Sequence, residues 1–230
     1  MFMACHALVF DLDDTLIHST RAYGVANAAA LDVIGLRDEG VSLESSRAEV
    51  KERLPPLHVS ARNRWLYFKR LLENNELYSA KLLVQVMSVY EESLLGHLRQ
   101  QWRDLRRGEL LQKLAKRAPM AIVTNENLRS QVLKLNALDG VDALFHVMVT
   151  SEEFGVEKPN PALLRCALAR LKVAPSDTLV VGDSFDDDIK PALDAGCRAV
   201  LSTEFAPRPV AFSAGCQTVS SLEEILKYDF

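Results

Sequence analysis

Five short runs of apolar residues recur along the chain, and none of them alternates with polar residues. They lie at residues 7–10, 120–124, 145–150, 178–182 and 198–201. Continuous hydrophobicity over so few residues is typical of a strand that is buried on both faces. The pattern therefore predicts five strands of a parallel sheet that is covered on both sides.

Segments with helical spacing separate the later runs. Their leucine-rich faces comprise Leu110, Leu111, Leu114 and Ala118, then Leu128, Val132, Leu135 and Leu138, then Leu163, Leu164, Ala167, Leu168 and Leu171. Asn160 with Pro161 predicts the start of the third helix, and Ser221 with Glu224 fits a capping box at the start of a last one. Strands that alternate with helices predict an α/β fold with a Rossmann-like, doubly wound parallel sheet.

Residues 18–107 have a different pattern. They contain no convincing buried strand, and helical spacing is found at residues 23–34, 61–72 and 77 to about 98. We therefore predict a catalytic core formed by residues 1–17 and 108–230. Residues 18–107 are predicted to be an all-α insertion that follows the first strand.

Composition excludes several classes of protein. The 230 residues are 48% hydrophobic and 25% charged, with a net charge of −4, which gives no reason to expect nucleic acid as a partner. The four cysteines form no CxxC pair, so neither a zinc site nor a disulfide framework is indicated. No stretch is apolar for long enough to span a membrane, and we expect a cytoplasmic protein without a membrane partner.

Polar residues follow three of the predicted strands at the point where each strand ends. They are Asp11, Asp13 and Thr15 after the first, Thr124 and Asn125 after the second, and Asp183 with the run Asp186, Asp187 and Asp188 after the fourth. Lys158 precedes the helix that leads into that fourth strand. The carboxyl ends of parallel strands open into one crevice, so these side chains should meet there. Gathering so many carboxylates requires a cation, and oxygen ligands predict Mg²⁺.

These motifs resemble the haloacid dehalogenase-like (HAD) hydrolase superfamily. Its elements occur in order as DLDDT from residue 11, IVTNE from residue 122, EKP from residue 157 and GDSFDDDI from residue 182. The inserted helical segment resembles the C1 helical cap of subfamily I, and the pattern favours its phosphatase branch. The last motif offers carboxylates both four and five residues after Asp183, and the resemblance favours Asp188 over Asp187.

The resemblance implies a role for each matching residue. Asp11 would be the nucleophile that forms an aspartyl-phosphate, and Asp13 would protonate the leaving oxygen and later activate water. We expect nearby negative charge to favour the protonated form of Asp13. Thr124, Asn125 and Lys158 would bind the transferring phosphoryl group. The Mg²⁺ ligands would be Asp11, the Asp13 carbonyl and Asp183, with Asp188 in the inner or second shell.

Several alternatives remain beside a Mg²⁺-dependent phosphatase. Dehalogenases and phosphonatases of this superfamily lack the aspartate two residues after the nucleophile, so Asp13 argues against both. A sugar phosphomutase would use the same residues and is the main enzymatic rival. A non-hydrolytic phosphate-binding or signalling protein is a third hypothesis. Receiver domains are the signalling proteins that share this set of residues, but they have no helical insertion after the first strand.

The substrate predicted by the resemblance is a small phosphorylated metabolite. Phosphoglycolate phosphatase-like and nucleotidase-like activities are both compatible with the motifs, and the pattern does not say which residues of the insertion contact the leaving group. We predict that Arg62, Arg64, Lys69 and Arg70 form a solvated helix face, with one of them reaching the crevice as the open alternative. A monomer is expected, with a dimer left open.

Overall fold

The computed structural model describes residues 6–36, 43–205 and 216–229. Within these ranges six parallel strands form one sheet in the order β3-β2-β1-β4-β5-β6. The strands are β1 (Ala7–Phe10), β2 (Met120–Thr124), β3 (Val147–Thr150), β4 (Thr178–Gly182), β5 (Arg198–Ser202) and β6 (Gln217–Val219). The predicted α/β parallel sheet is confirmed, while β3 begins two residues later than predicted and the short edge strand β6 was not predicted.

Four α-helices occupy the described part of the predicted insertion that follows β1. They are α1 (Ser19–Asp32), α2 (Leu43–Glu52), α3 (Arg64–Asn74) and α4 (Ala80–Asp104). Among the described residues 18–36 and 43–107 no strand is found, which agrees with the predicted all-α insertion. Helix α2 was not predicted, because its sequence LESSRAEVKE carries few apolar residues to define a face.

Four further helices connect the strands of the core. They are α5 (Arg107–Ala115), α6 (Leu128–Ala137), α7 (Ala162–Leu171) and α8 (Lys190–Asp194). The Asn160 side chain accepts a hydrogen bond from the Ala162 backbone N–H at 2.9 Å, and Ser221 and Glu224 form the expected capping box. Both predicted helix starts are therefore present, although the last helix (Leu222–Lys227) is a 3₁₀-helix.

Alternate residues of β1 point to opposite faces of the sheet and join separate apolar cores. Leu8 and Phe10 belong to a core that also contains residues of α1, α3, α4 and α5. Val9 belongs to the other core, together with apolar residues of α7 and α8. The inserted helices therefore share one core with the sheet, and burial of each large side chain there stabilises the fold by about 1.5–3 kcal/mol.

The predicted apolar face of α6 is partly wrong. Leu135 and Leu138 are buried as expected, but Leu128 is 42% exposed and Val132 is 47% exposed. The inward positions of the helix are instead occupied by polar side chains, as described below. A local count of apolar residues could not detect this rotation, because the partner of those polar side chains lies on another element.

The described cysteines are unbridged, with Cys197 buried and Cys166 and Cys216 half-buried. Cys5 lies outside the described residues. No described helix combines the length and the apolar character that a membrane span needs.

Candidate active site

The carboxyl ends of β1, β2 and β4 are level with one another at one edge of the sheet. Phe10 is in register with both Ile122 and Val181, and the Asp11 N–H donates to the Val181 carbonyl at 2.9 Å. The residues that follow these strands therefore reach the same space. A cavity of about 540 Å³ lies there, and its lining includes every predicted site residue: Asp11, Asp13, Thr124, Asn125, Lys158, Asp183 and Asp188.

Three carboxylates form a compact cluster in this cavity. Asp11, Asp183 and Asp188 each offer an oxygen, and these oxygens lie within 4.8 Å of one another. Gly182 makes the cluster possible, since a Cβ at this position would lie 2.4 Å from side-chain atoms of Asp188. Asp187 is outside the cluster, and its carboxylate faces the Arg62 guanidinium at 4.0 Å.

Lys158 binds two members of the cluster. Its ammonium lies 2.6 Å from one oxygen of Asp11 and 2.6 Å from one oxygen of Asp188, and it also donates to the Val123 carbonyl at 3.1 Å. An ammonium has three donors, so protein acceptors satisfy all of them. The side chain therefore fixes the position of the Asp11 carboxylate.

The Asn125 side chain forms hydrogen bonds with both the N–H and the carbonyl of Lys158. The Lys158 N–H donates to Asn125 Oδ1 at 2.6 Å, and Asn125 Nδ2 donates to the Lys158 carbonyl at 3.3 Å. Asn125 was predicted to donate to the phosphoryl group. In the structure its amide group contacts the Lys158 backbone, and a contact of its second N–H with a phosphoryl group stays a prediction.

Burial and neighbouring charges shift the pKa values of Asp11 and Lys158. Burial raises the pKa of the Asp11 carboxyl well above its ordinary value against the opposing effect of Lys158, and the neighbouring carboxylates Asp188 and Asp183 raise it further. Burial alone would lower the pKa of Lys158, but Asp11 and Asp188 raise it above its ordinary value. The ammonium therefore stays charged, and the cluster still carries excess negative charge.

Asp13 has a different environment two residues further along the chain. Its Oδ1 accepts hydrogen bonds from Lys134 Nζ at 2.6 Å and from the Tyr23 hydroxyl at 3.1 Å, and its Oδ2 accepts one from Gln131 Nε2 at 2.8 Å. Burial alone would raise the pKa of Asp13. The Lys134 charge, the hydrogen bonds of Lys134 and Gln131, and the Arg64 charge instead lower it to about 2.

The expectation that nearby negative charge keeps Asp13 protonated is therefore wrong for the structure as it stands. The reason is Lys134, a fully inward-facing cation that the sequence analysis did not single out. Burial, followed by the charge of Asp13, raises the pKa of Tyr23 well above its ordinary value, so its hydroxyl remains a donor.

Gln131 links Asp13 to the end of β2. Its Nε2 also donates to Thr124 Oγ1 at 2.7 Å, so one amide group bridges the carboxylate and the hydroxyl. Gln131 and Lys134 follow Thr124 by seven and ten residues and lie one helical turn apart on α6. That spacing just after a predicted site residue is the signal by which they could have been found.

Two arginines of the inserted segment also line the cavity. Arg62 Nε lies 3.0 Å from a carboxylate oxygen of buried Glu157, and Arg64 pairs with buried Glu126 and lies over the ring of Tyr23. Arg64 is therefore not on a solvated face, whereas the Arg62 side chain is still 42% exposed, and both reach the cavity as the open alternative allowed. Both arginines bridge the helical segment to loops at the carboxyl edge of the sheet.

Asp14 forms local hydrogen bonds with Thr20. It has a positive φ of 58°, and its carboxylate accepts hydrogen bonds from the backbone N–H and the hydroxyl of Thr20. It therefore connects the loop after β1 to the first turn of α1.

Comparison with known proteins gives concordant matches. The model of the haloacid dehalogenase-like hydrolase family matches residues 5–196. A glyceraldehyde 3-phosphate phosphatase of Methanopyrus kandleri is 31% identical over 83% of this chain and 80% of its own length. A phosphoglycolate phosphatase of Pectobacterium atrosepticum is 32% identical over 87% of this chain and 81% of its own length.

Solved structures share the fold. The HAD-hydrolase YfnB of Bacillus subtilis, solved bound to magnesium, superposes with a TM-score of 0.72 at 21% identity, and the match covers 98% of each chain. At that identity the likeness establishes the fold. The family model, which spans more than half of the chain, shows that the chain belongs to the haloacid dehalogenase-like hydrolase family.

Proposed function

We propose that this hydrolase is a Mg²⁺-dependent phosphatase that cleaves small phosphomonoesters through an aspartyl-phosphate on Asp11. The observation that carries the proposal is the meeting of Asp11, Asp183, Asp188 and Lys158 at one edge of the sheet. Two relatives named as phosphatases, which match over most of their length, support it.

The donor set of the cluster fits Mg²⁺. Asp11, Asp183 and Asp188 supply only carboxylate oxygens, which are the ligands that this hard cation prefers. We assign these three residues and the Asp13 carbonyl as the groups that would hold it. When bound, Mg²⁺ would neutralise charge on the phosphoryl oxygens and help to orient them.

Asp11 would attack phosphorus while the bond from phosphorus to the ester oxygen breaks. Lys158 restrains one Asp11 oxygen at 2.6 Å, which leaves the other carboxylate oxygen for the attack. Thr124 accepts a hydrogen bond from Gln131, so its own O–H can still donate to a phosphoryl oxygen. Lys158 would contact the phosphoryl group only by exchanging one of its three present acceptors.

Asp13 would serve both halves of the reaction. In the first half its O–H gives a proton to the leaving ester oxygen, and in the second half its carboxylate takes a proton from water as that water displaces Asp11 from phosphorus. The lowered pKa of Asp13 favours its ionised form, which suits the second half. For the first half, we expect the negative charge of a bound phosphoryl group to favour uptake of a proton by Asp13.

We further propose that residues 18–107 act as a cap over the core formed by residues 1–17 and 108–230. Asn27, Arg47, Arg62 and Tyr67 of this segment line the cavity opposite the carboxylates. Side chains placed there would contact the leaving group and exclude water during phosphoryl transfer. A cytoplasmic location and a monomeric state remain predictions.

The test is a screen of phosphorylated metabolites for release of inorganic phosphate, with and without Mg²⁺. The set should include phosphoglycolate, triose and sugar phosphates, and nucleoside monophosphates. The proposal predicts Mg²⁺-dependent phosphate release from some of them and none from the Asp11→Asn variant. Sustained isomerisation of a sugar phosphate with negligible phosphate release would instead identify a phosphomutase.

A further inference from the structure

Two buried polar side chains of α6 face the cavity side of the core instead of solvent. Lys134 is 1% exposed and Gln131 is 0% exposed, and both side chains bind the Asp13 carboxylate. A buried lysine is costly unless its charge is paired, and an apolar residue of similar length would pack there without that cost. The presence of Lys134 therefore calls for a reason beyond packing.

The contacts of these side chains restrain both oxygens of Asp13. Lys134 binds Oδ1 at 2.6 Å and Gln131 binds Oδ2 at 2.8 Å, so rotation of the carboxylate would break one bond or the other. Gln131 is itself anchored to Thr124 at 2.7 Å. A carboxylate held at both oxygens has one orientation relative to Asp11.

The alternative orientation would be harmful to catalysis. Asp13 follows Asp11 by two residues, so an unrestrained side chain could turn towards the three-carboxylate cluster. A fourth carboxylate there would leave the ester oxygen without a proton donor. In the structure Asp13 is not a member of the cluster within the part of the chain that is described.

The third contact comes from the helical segment. The Tyr23 hydroxyl on α1 donates to Asp13 Oδ1 at 3.1 Å and accepts from Lys134 Nζ at 2.6 Å. Tyr23 is therefore part of both the insertion and the restraint on Asp13. Docking of α1 on the core completes the set of three contacts.

We propose that Lys134 and Gln131 are positioning residues that keep the Asp13 carboxyl group directed at the leaving ester oxygen, with Tyr23 linking this orientation to helix α1. The inference rests on the proposed function, because it gives Asp13 its task. It assigns none of these three residues a contact with the phosphoryl group.

The test compares two esters that differ in their need for a proton. An alkyl phosphate that the enzyme hydrolyses must have its leaving oxygen protonated, whereas p-nitrophenolate leaves from p-nitrophenyl phosphate without one. For Lys134→Met we expect kcat/KM on the alkyl ester to fall by about 100-fold and kcat/KM on the aryl ester by less than about fivefold, because kcat/KM reports the steps up to formation of the aspartyl-phosphate. The attack of water on the aspartyl-phosphate is common to both esters and does not enter this comparison.

Matched variants separate positioning from general damage to the fold. Lys227→Met removes an exposed lysine whose ion pair, among the residues that the structure describes, is with Glu224, and it should leave both rates unchanged. Gln131→Met and Tyr23→Phe should give the same selectivity as Lys134→Met, with smaller losses, and they decide the question if Lys134→Met does not fold. In an Asp13→Asn background, Lys134→Met should add little further loss.

Equal losses of kcat/KM on the two esters, or no loss on either, would overturn the inference and leave these residues with a structural role alone. Asp11→Asn separates this failure from failure of the proposed function. If Asp11→Asn abolishes turnover while the selectivity is absent, only the positioning role is wrong. If Asp11→Asn still turns over, the proposed function itself is wrong.

Discussion

Asp11 and Asp13 are two residues apart, yet their surroundings shift their pKa values in opposite directions. Asp11 is buried among other carboxylates, and burial raises its pKa despite the contact with Lys158. Asp13 is surrounded by donors, and Lys134 above all lowers its pKa to about 2 although burial opposes this effect. The same residue type therefore has two different chemical environments within one short loop.

With the proposed function, this difference would provide a nucleophile and a proton-transfer group side by side. The negative cluster around Asp11 suits a cation and thereby a phosphoryl group. The donors around Asp13 fix the direction of its oxygens. Each environment can be altered separately, since Asp183 and Asp188 belong to the first and Lys134 and Gln131 to the second.

The largest effect is expected from the nucleophile. Asp11→Asn should lower kcat by at least about 10⁴-fold on every ester, because the substitution removes the carboxylate proposed to attack phosphorus. Asp13→Asn should lower kcat/KM on p-nitrophenyl phosphate far less than kcat/KM on an alkyl phosphate, because kcat/KM reports the steps up to the aspartyl-phosphate. Steady-state rates on both esters, with circular dichroism as the check on folding, measure the contrast. Identical losses for the two variants would show that the two aspartates do not have separate roles.

Removal of divalent ions should have the next largest effect. Chelation should lower activity by on the order of 10³-fold, since several kcal/mol of charge stabilisation would be lost, and Mg²⁺ should restore it. Asp183→Asn should raise the Mg²⁺ concentration needed for half-maximal activity by at least about tenfold. Lys134→Met should leave that concentration unchanged, and an equal shift in both variants would contradict the division into two environments.

Much of this architecture could be predicted from the sequence, and the failures have physical reasons. The bounds of β1, β2 and β4 match the apolar runs, because strands buried on both faces admit few polar residues. The cluster residues follow strand ends, so topology alone brings them together. Lys134 was missed because a lysine in a helix is normally exposed, and its partner is 121 positions away in sequence.

A glycine pair tests the steric basis of the cluster. Gly182→Ala should lower kcat by about 10- to 100-fold. The added Cβ would lie 2.4 Å from side-chain atoms of Asp188, so the Asp188 side chain would have to move. Gly96→Ala is the matched control, since Gly96 is an exposed residue within α4 with open space around its Cβ position. It should leave kcat unchanged and raise the free energy of unfolding by about 1 kcal/mol. Wild-type activity in Gly182→Ala would show that Asp188 need not stay in place.

The smallest expected effect is on stability in acid. The pKa of Asp13 is about 2 in the folded chain, below its ordinary value of 3.8, so this group stabilises the fold above pH 3.8 and less as the pH falls towards 2. Lys134→Met should remove this pH-dependent stabilisation. In metal-free protein, the wild type should therefore be more stable than the variant at both pH values, and the difference in free energy of unfolding should be about 1 kcal/mol smaller at pH 3 than at pH 5. Urea titrations at the two pH values measure it, and a pH-independent difference would mean that Lys134 does not act on the charge of Asp13.

The most direct test is the stereochemistry at phosphorus, followed with a thiophosphate ester that is chiral through sulfur and two oxygen isotopes and is hydrolysed in water carrying the third isotope. Attack by Asp11 and then by water inverts the phosphorus centre twice, so a covalent intermediate predicts chiral thiophosphate with overall retention of configuration. Overall inversion would mean that water attacks the ester directly, and it would contradict the central claim that Asp11 forms a covalent intermediate.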